Sequence, residues 1–127
     1  MSDSLQQDAR LVSQVLDNLA VGFVRIDREG RLIYANPAFC RMSGWDLEDL
    51  KGKMRPLPYW PEEDHDYLLR TVPEIWKADL VPLELRLKRK NGERFPVIIS
   101  PGILRDESGE IHSFFSTILD ISQRKRA

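Results

Sequence analysis

Residues 83–121 leave room for strands and tight turns but not for a helix, and this constrains the fold more than any other feature of the chain. Leu83, Leu85 and Leu87 alternate with Glu84, Arg86 and Lys88, the period-two pattern of a strand with one buried face. Lys90-Asn91-Gly92 follows, and an Asn-Gly pair favours the backbone twist of a short hairpin. Phe95, Val97 and Ile99 then share one side of a second strand. Asp106-Glu107-Ser108-Gly109 turns the chain again, and Ile111 to Ile121 reads as a third strand. A parallel crossover needs about a dozen residues or more. The connections here are too short for one, so these strands form an antiparallel meander.

The first half carries a second hairpin and several short helices. Gly22–Ile26 and Arg31–Ala35 read as strands around the turn Asp27-Arg28-Glu29-Gly30. Asn36-Pro37 opens a helix, Asn36 as its cap and Pro37 in its first turn. That helix is expected to run to about Met42 and to stop near Gly44. A shorter helix is expected over Asp46–Leu50, then an irregular stretch over Lys53–Pro61. A longer helix starts at Pro61 or Glu62, with Pro73 expected to end or kink it after Val72. Before all of these, Ser4 to Leu19 reads as an amphipathic helix. Leu5, Ala9, Val12, Leu16 and Leu19 form its apolar stripe, widened by Leu11 and Val15. A helix of about 16 residues is marginal alone in water, so the stripe needs a surface, either the chain's own sheet or a second copy. The expected architecture is α+β: one antiparallel sheet with short helices over a face. The expected organisation is an N-terminal helix over 1–19, one domain over 20–122 and the start of a linker over 123–127.

The 127 residues, 42% hydrophobic and 31% charged, fit one globular domain with one core. A net charge of −1 provides no basic field for nucleic acid or an anionic membrane. The single cysteine, Cys40, excludes an internal disulfide. The N-terminus lacks the pattern of a signal peptide, and no apolar run approaches the roughly 20 residues of a membrane span. A cytoplasmic chain without direct membrane contact is the expectation. Phosphate-binding glycine loops, HExxH and Cys-x-x-Cys motifs are all missing, so no catalysis is expected.

Several segments in order resemble the PAS sensory family. Val21-Gly22-Phe23-Val24-Arg25-Ile26-Asp27 with Gly30 is similar to the family's first strand and turn. Ile33-Tyr34-Ala35-Asn36-Pro37-Ala38-Phe39 resembles its "aNpaf" segment. Ser43-Gly44-Trp45 with Leu50-Lys51-Gly52-Lys53 resembles "tGy…l.Gk", and Leu85 to Glu93 resembles the "r.krkdGe" hairpin. Asp120-Ile121-Ser122-Gln123-Arg124-Lys125-Arg126 resembles the closing "DITerkr" motif, with Ser122 in place of threonine. The resemblance implies a PAS-like five-stranded antiparallel sheet cradling a small cavity under helices. It also implies a sensor whose signal leaves through the last strand toward an effector domain in the same chain. Histidine kinases and diguanylate cyclases are the effectors such architectures use.

Candidate sites follow from this frame. Asp120 and Ser122 are the expected signal relay at the sheet–linker junction, with Arg89 and Lys90 as alternative partners for the carboxylate. Asn36, Gly44, Trp45 and Gly92 are expected to be structural. Haem-binding members use a histidine and a later arginine on the long helix, and His65 and Arg70 are the candidates here. If Tyr67 and Arg70 are aligned with the family, His65 falls one position off, about 100° of helical rotation. No cofactor is expected, haem being the alternative; flavin photochemistry is not expected, because Lys53 to Pro58 lacks the reactive cysteine. Cys40 reads as a small hydrophobe. Glu62-Glu63-Asp64-His65-Asp66 reads as a favourably charged helix start, with no metal expected. Trp60 and Trp76 read as packing residues or a cover for the cavity mouth. The leading expectation is a sensor binding an unknown small molecule and forming a homodimer through its N-terminal helix. The alternatives are a ligand-free structural dimerisation module and, last, a small enzyme using an α+β cavity.

Overall fold

The computed structural model describes residues 2–75 and 81–123. The elements in order are α1 (Ser2–Asn18), β1 (Gly22–Ile26), β2 (Leu32–Ala35), α2 (Pro37–Ser43) and α3 (Leu47–Leu50). After them come a 3-10 turn (Glu62–Asp64), α4 (His65–Ile75), β3 (Leu83–Lys88), β4 (Arg94–Arg105) and β5 (Ile111–Asp120). The strands form one antiparallel sheet in the order β2-β1-β5-β4-β3. The meander and the first hairpin stand as the turn chemistry implies. They join because β5 pairs Phe114–Ile118 with Gly22–Ile26 of β1, placing the last strand at the centre of the sheet.

Strand alternation sets the two faces. Val24, Leu87, Phe95, Val97 and Ile118 point inward, all at most 2% exposed. They pack with Leu32, Phe39 and Leu50 into one core beneath α2, α3 and α4. The outer face carries Phe23, Tyr34 and Phe115, whose rings meet at centroid distances of 6.3 and 5.8 Å. Gly102 lies opposite Phe115 in register, and a Cβ there would stand 2.1 Å from the Phe115 ring. The ring therefore lies across bare backbone.

One expectation is corrected and one open alternative is decided. Pro73 does not end α4 at Val72; the helix continues to Ile75 with Pro73 inside it. Proline's φ is already helical, and its missing N–H removes only the bond to the Leu69 carbonyl, on an exposed residue. The apolar stripe of α1 is not buried on the chain's own sheet: Leu11, Val12, Val15 and Leu19 are all exposed, and Leu16 is half-buried. What the helix turns inward is Ser13, 6% exposed, whose hydroxyl lies 3.0 Å from that of Tyr34. The side chains of Leu5 and Ala9, Trp76, and the basic run Arg124-Lys125-Arg126 lie outside the described residues. No helix among the described residues is long and apolar enough to cross a membrane.

Candidate functional site

Between the inner sheet face and α4 lies a cavity of about 70 Å³. Ile99 and Ile118 form part of its floor, Leu68 and Val72 of α4 its roof, and Trp60 closes one side. The wall is apolar except at Tyr59 and Ser116. Burial pushes the Tyr59 phenol well above its ordinary pKa, so it stays protonated. Its ring packs edge-on against Phe39 at 5.0 Å. The space suits a few waters or a small ligand. Pockets for larger organic ligands run to about 300–1,000 Å³. In this structure the cavity lies well below that range.

The turn before α4 is fastened to the edge of the sheet by charge. Arg94 holds Glu63 through both carboxylate oxygens, Nη2 to Oε1 at 2.8 Å and Nε to Oε2 at 3.1 Å. Its Nη2 also reaches Glu62 at 2.9 Å. Lys88 pairs with Glu62, and Arg86 with Asp64 at 3.3 Å. The hydrogen bonds from Arg94 hold the Glu63 pKa down to about 2. These acids were read as complements to a helix dipole; their partners are the basic side chains of β3 and the start of β4.

At the far end of β5 the sheet meets the outgoing chain. Asp120 Oδ1 accepts from the Ser122 amide at 2.9 Å and from its hydroxyl at 2.5 Å. Asp120 Oδ2 accepts from Arg89 Nη2 at 3.2 Å. Burial acts to raise the Asp120 pKa, but the Ser122 bonds and then Arg89 outweigh it, and the carboxyl lies below its ordinary value. Arg89 also donates to the Met42 carbonyl and to Glu93 at 2.5 Å. Its guanidinium stands 3.9 Å over the Phe95 ring, a cation–π contact. Arg89 is thus the partner of Asp120, and Lys90 is not: Lys90 pairs with Asp49 at 3.2 Å.

The motif residues hold the frame of this junction. Asn36 is fully buried; its Oδ1 accepts from the Phe23 and Phe39 amides, both at 2.9 Å, and its Nδ2 donates to the Val21 carbonyl at 3.0 Å. Gly44 ends α2 at φ 78°, its amide donating to the Cys40 carbonyl, the left-handed cap that glycine adopts without strain. Trp45 Nε1 donates to the Lys88 carbonyl at 3.3 Å, and the Gly92 amide to the Arg89 carbonyl at 2.9 Å, so both fix the hairpin carrying Arg89.

His65 and Arg70 do not converge. The His65 ring lies 3.2 Å from the Trp60 carbonyl, while Arg70 is exposed and donates to the Asp66 carbonyl. Five residues of helix separate them by about 140°. Neither lines the cavity. Cys40 is half-buried on α2 and packs against the core, and burial pushes its thiol pKa up.

Residues 10–121 match the family model for the PAS fold. That span is most of the chain, and the chain belongs to the PAS family. Among curated relatives, it is 30% identical to the C4-dicarboxylate transport sensor protein of Rhodobacter capsulatus, over 98% of this chain and 19% of that protein. It is 27% identical to a probable diguanylate cyclase of Escherichia coli, over 84% of this chain and 10% of that protein. A blue-light-activated histidine kinase of Brucella anthropi is 28% identical, over 72% of this chain and 18% of that protein. The chain thus spans less than a fifth of the length of each. Of solved structures, the PAS domain of a Colwellia psychrerythraea protein superposes with a TM-score of 0.77 at 16% identity, covering 91% of this chain and 98% of that one. An RNA-binding Light-Oxygen-Voltage receptor superposes at 0.76 and 20% identity, covering 92% of this chain and 34% of that one. These two likenesses concern the fold. The chain is a signal-transduction sensor module.

Proposed function

We propose that this module senses a small ligand in the cavity under α4 and relays the change through Asp120 and Ser122 to an effector domain in the same chain. The effector is of the histidine-kinase or diguanylate-cyclase type. Residues 20–122 act as the sensory unit, 1–19 as a dimerising helix and 123–127 as the start of the output linker. The unit itself is non-catalytic, works in the cytoplasm as a homodimer, and contacts neither nucleic acid nor membrane. The observation that carries this reading is the position of Arg89. One guanidinium touches α2 at Met42, the core at Phe95 and the outgoing strand at Asp120. Any shift of α2 or the core against the sheet changes the geometry at the exit. The cavity's apolar wall and two hydroxyls suit water or a small, weakly polar molecule, and no step of this reading requires haem, flavin or a metal.

Asp120→Ala in the parent protein tests the relay. The Asp120–Arg89 pair is partly exposed, so its removal is expected to cost about 1 kcal/mol of stability while changing effector output and its response to ligand. A loss of roughly 3 kcal/mol with unchanged output would make Asp120 a structural group instead.

The small cavity also favours a second reading, a structural dimerisation module that binds nothing. Native mass measurement after gentle purification separates the two. A retained molecule supports the sensor, and a bare chain that no small-molecule panel stabilises supports the structural module.

A further inference from the structure

The outer face of the sheet, away from the cavity under α4, gathers three cationic side chains around one cleft. Arg25 of β1 stands in register between Tyr34 and Phe115. Its Nη2 donates one long bond to the Ser113 hydroxyl, at 3.4 Å. Its Nε is buried with no partner, and burial lowers its pKa. A charged donor left in this way is costly and calls for an explanation. α1 lies over this face and leaves a cleft of about 550 Å³, within the size range of small-molecule sites. Arg10 and Ser13 of α1, Phe23 and Arg25 of β1, Tyr34 of β2 and Lys51 after α3 line it. Among the described residues no carboxylate pairs with Arg10, Arg25 or Lys51 and none lines the cleft. Asp17, in the adjoining groove, is taken by Arg41 at 3.2 Å. By contrast Arg86, Arg89 and Arg94 all have acidic partners.

Three cations, two hydroxyls and two aromatic rings around such a volume form a site for a charged organic molecule. A guanidinium presents a planar fork that matches a carboxylate or phosphate. Arg10 and Lys51 add charge from two other elements. We propose that this cleft binds a small organic anion carrying two or more carboxylate or phosphate groups, and that binding fastens α1 to the sheet. The coupling follows from the placement of the groups. α1 contributes Arg10 and Ser13, the sheet contributes Arg25 and Tyr34, and the Ser13–Tyr34 bond already joins them. An anion bridging these groups adds contacts that exist only while α1 is docked. The site shares no residue with the cavity under α4, so it stands or falls separately from the sensor reading.

The test is titration calorimetry of the whole chain with inorganic pyrophosphate and with citrate, ionic strength held constant with chloride because exposed charges are screened. Saturable binding of at least one probe is expected, and the tighter one tells phosphate from carboxylate chemistry. Lys51→Gln and Arg10→Gln, both at exposed positions, should each weaken it about three- to tenfold, and Arg25→Gln should abolish it. If Arg25→Gln does not fold, the two exposed variants still decide the matter. Arg86→Gln, an equal loss of charge elsewhere, should leave binding unchanged, and amide exchange in α1 should slow when the probe is bound. No saturation with either probe, wild-type affinity in Lys51→Gln and Arg10→Gln, or an equal loss in Arg86→Gln would overturn the proposal.

Discussion

Asn36 uses both polar atoms of its short, fully buried side chain. Its amide satisfies two backbone N–H groups and one carbonyl, joining β1, the approach to β1 and the start of α2. Asn36→Ala leaves those groups buried and unpaired, and a loss of roughly 3 kcal/mol is expected in chemical denaturation. Asn91→Ala is the comparison, since Asn91 caps an exposed turn through the Glu93 amide; it should cost about 1 kcal/mol or less. A similar loss for both would mean that burial of Asn36 adds nothing. Half of this role was legible in the sequence. Asn before Pro signals a helix cap, and the Phe39 bond is that cap. The Phe23 bond spans 13 residues and exists only once the hairpin has folded. The partner of Asp120 was undecided for the same reason. Arg89 and Lys90 are neighbours of like charge, and only the hairpin's placement beside Met42 and β5 sends one to Asp120 and the other to Asp49.

At the scale of elements, exposed ion pairs around Glu62–Asp64 tie the 3-10 turn before α4 to the sheet. Glu63 is depressed from 4.5 to about 2. A carboxylate with a lowered folded-state pKa adds stability that is full above its unfolded value. That contribution fades as pH falls from about 4.5 toward about 2. Wild-type chain should therefore resist urea better than Glu63→Gln at pH 6, the gap closing on acidification across that window. A gap that stays constant down to pH 2 would show that Glu63 contributes through packing rather than charge. Salt should narrow the gap at pH 6 as well, because these side chains are exposed. The acids themselves were legible as a helix start. Their partners were not, because Arg86, Lys88 and Arg94 come from another part of the chain, and their charges alternate along strands read mainly for their leucines. The end of α4 was misread for a local reason: the rule that proline breaks helices weighs less in the last turn, where one lost bond opens to solvent.

At the scale of the molecule, the sequence showed the apolar stripe of α1 but not which way it faces. Periodicity marks an amphipathic helix without saying whether its apolar side or a small polar residue meets the sheet. Here Ser13 docks, and Leu11, Val12, Val15 and Leu19 remain open. Leu19 lines a groove with Leu119 of β5 and with Asp120, Arg89 and Ser122, and Leu119 is itself exposed. The open stripe therefore runs up to the end of β5 at Asp120. A second copy laid along α1 would cover these residues and press on the end of β5, and on the proposed reading that would couple dimer geometry to output. The intact chain is expected to be dimeric in sedimentation at about 100 μM, a range that registers micromolar dissociation constants. Val12→Glu with Val15→Glu should give a folded monomer, since both side chains are exposed in the single chain and a charge there harms only an interface. A shortened chain starting at Asp17 should also be monomeric. If the intact chain is monomeric at that concentration, the dimer idea fails and α1 serves only as a cover for the outer sheet face.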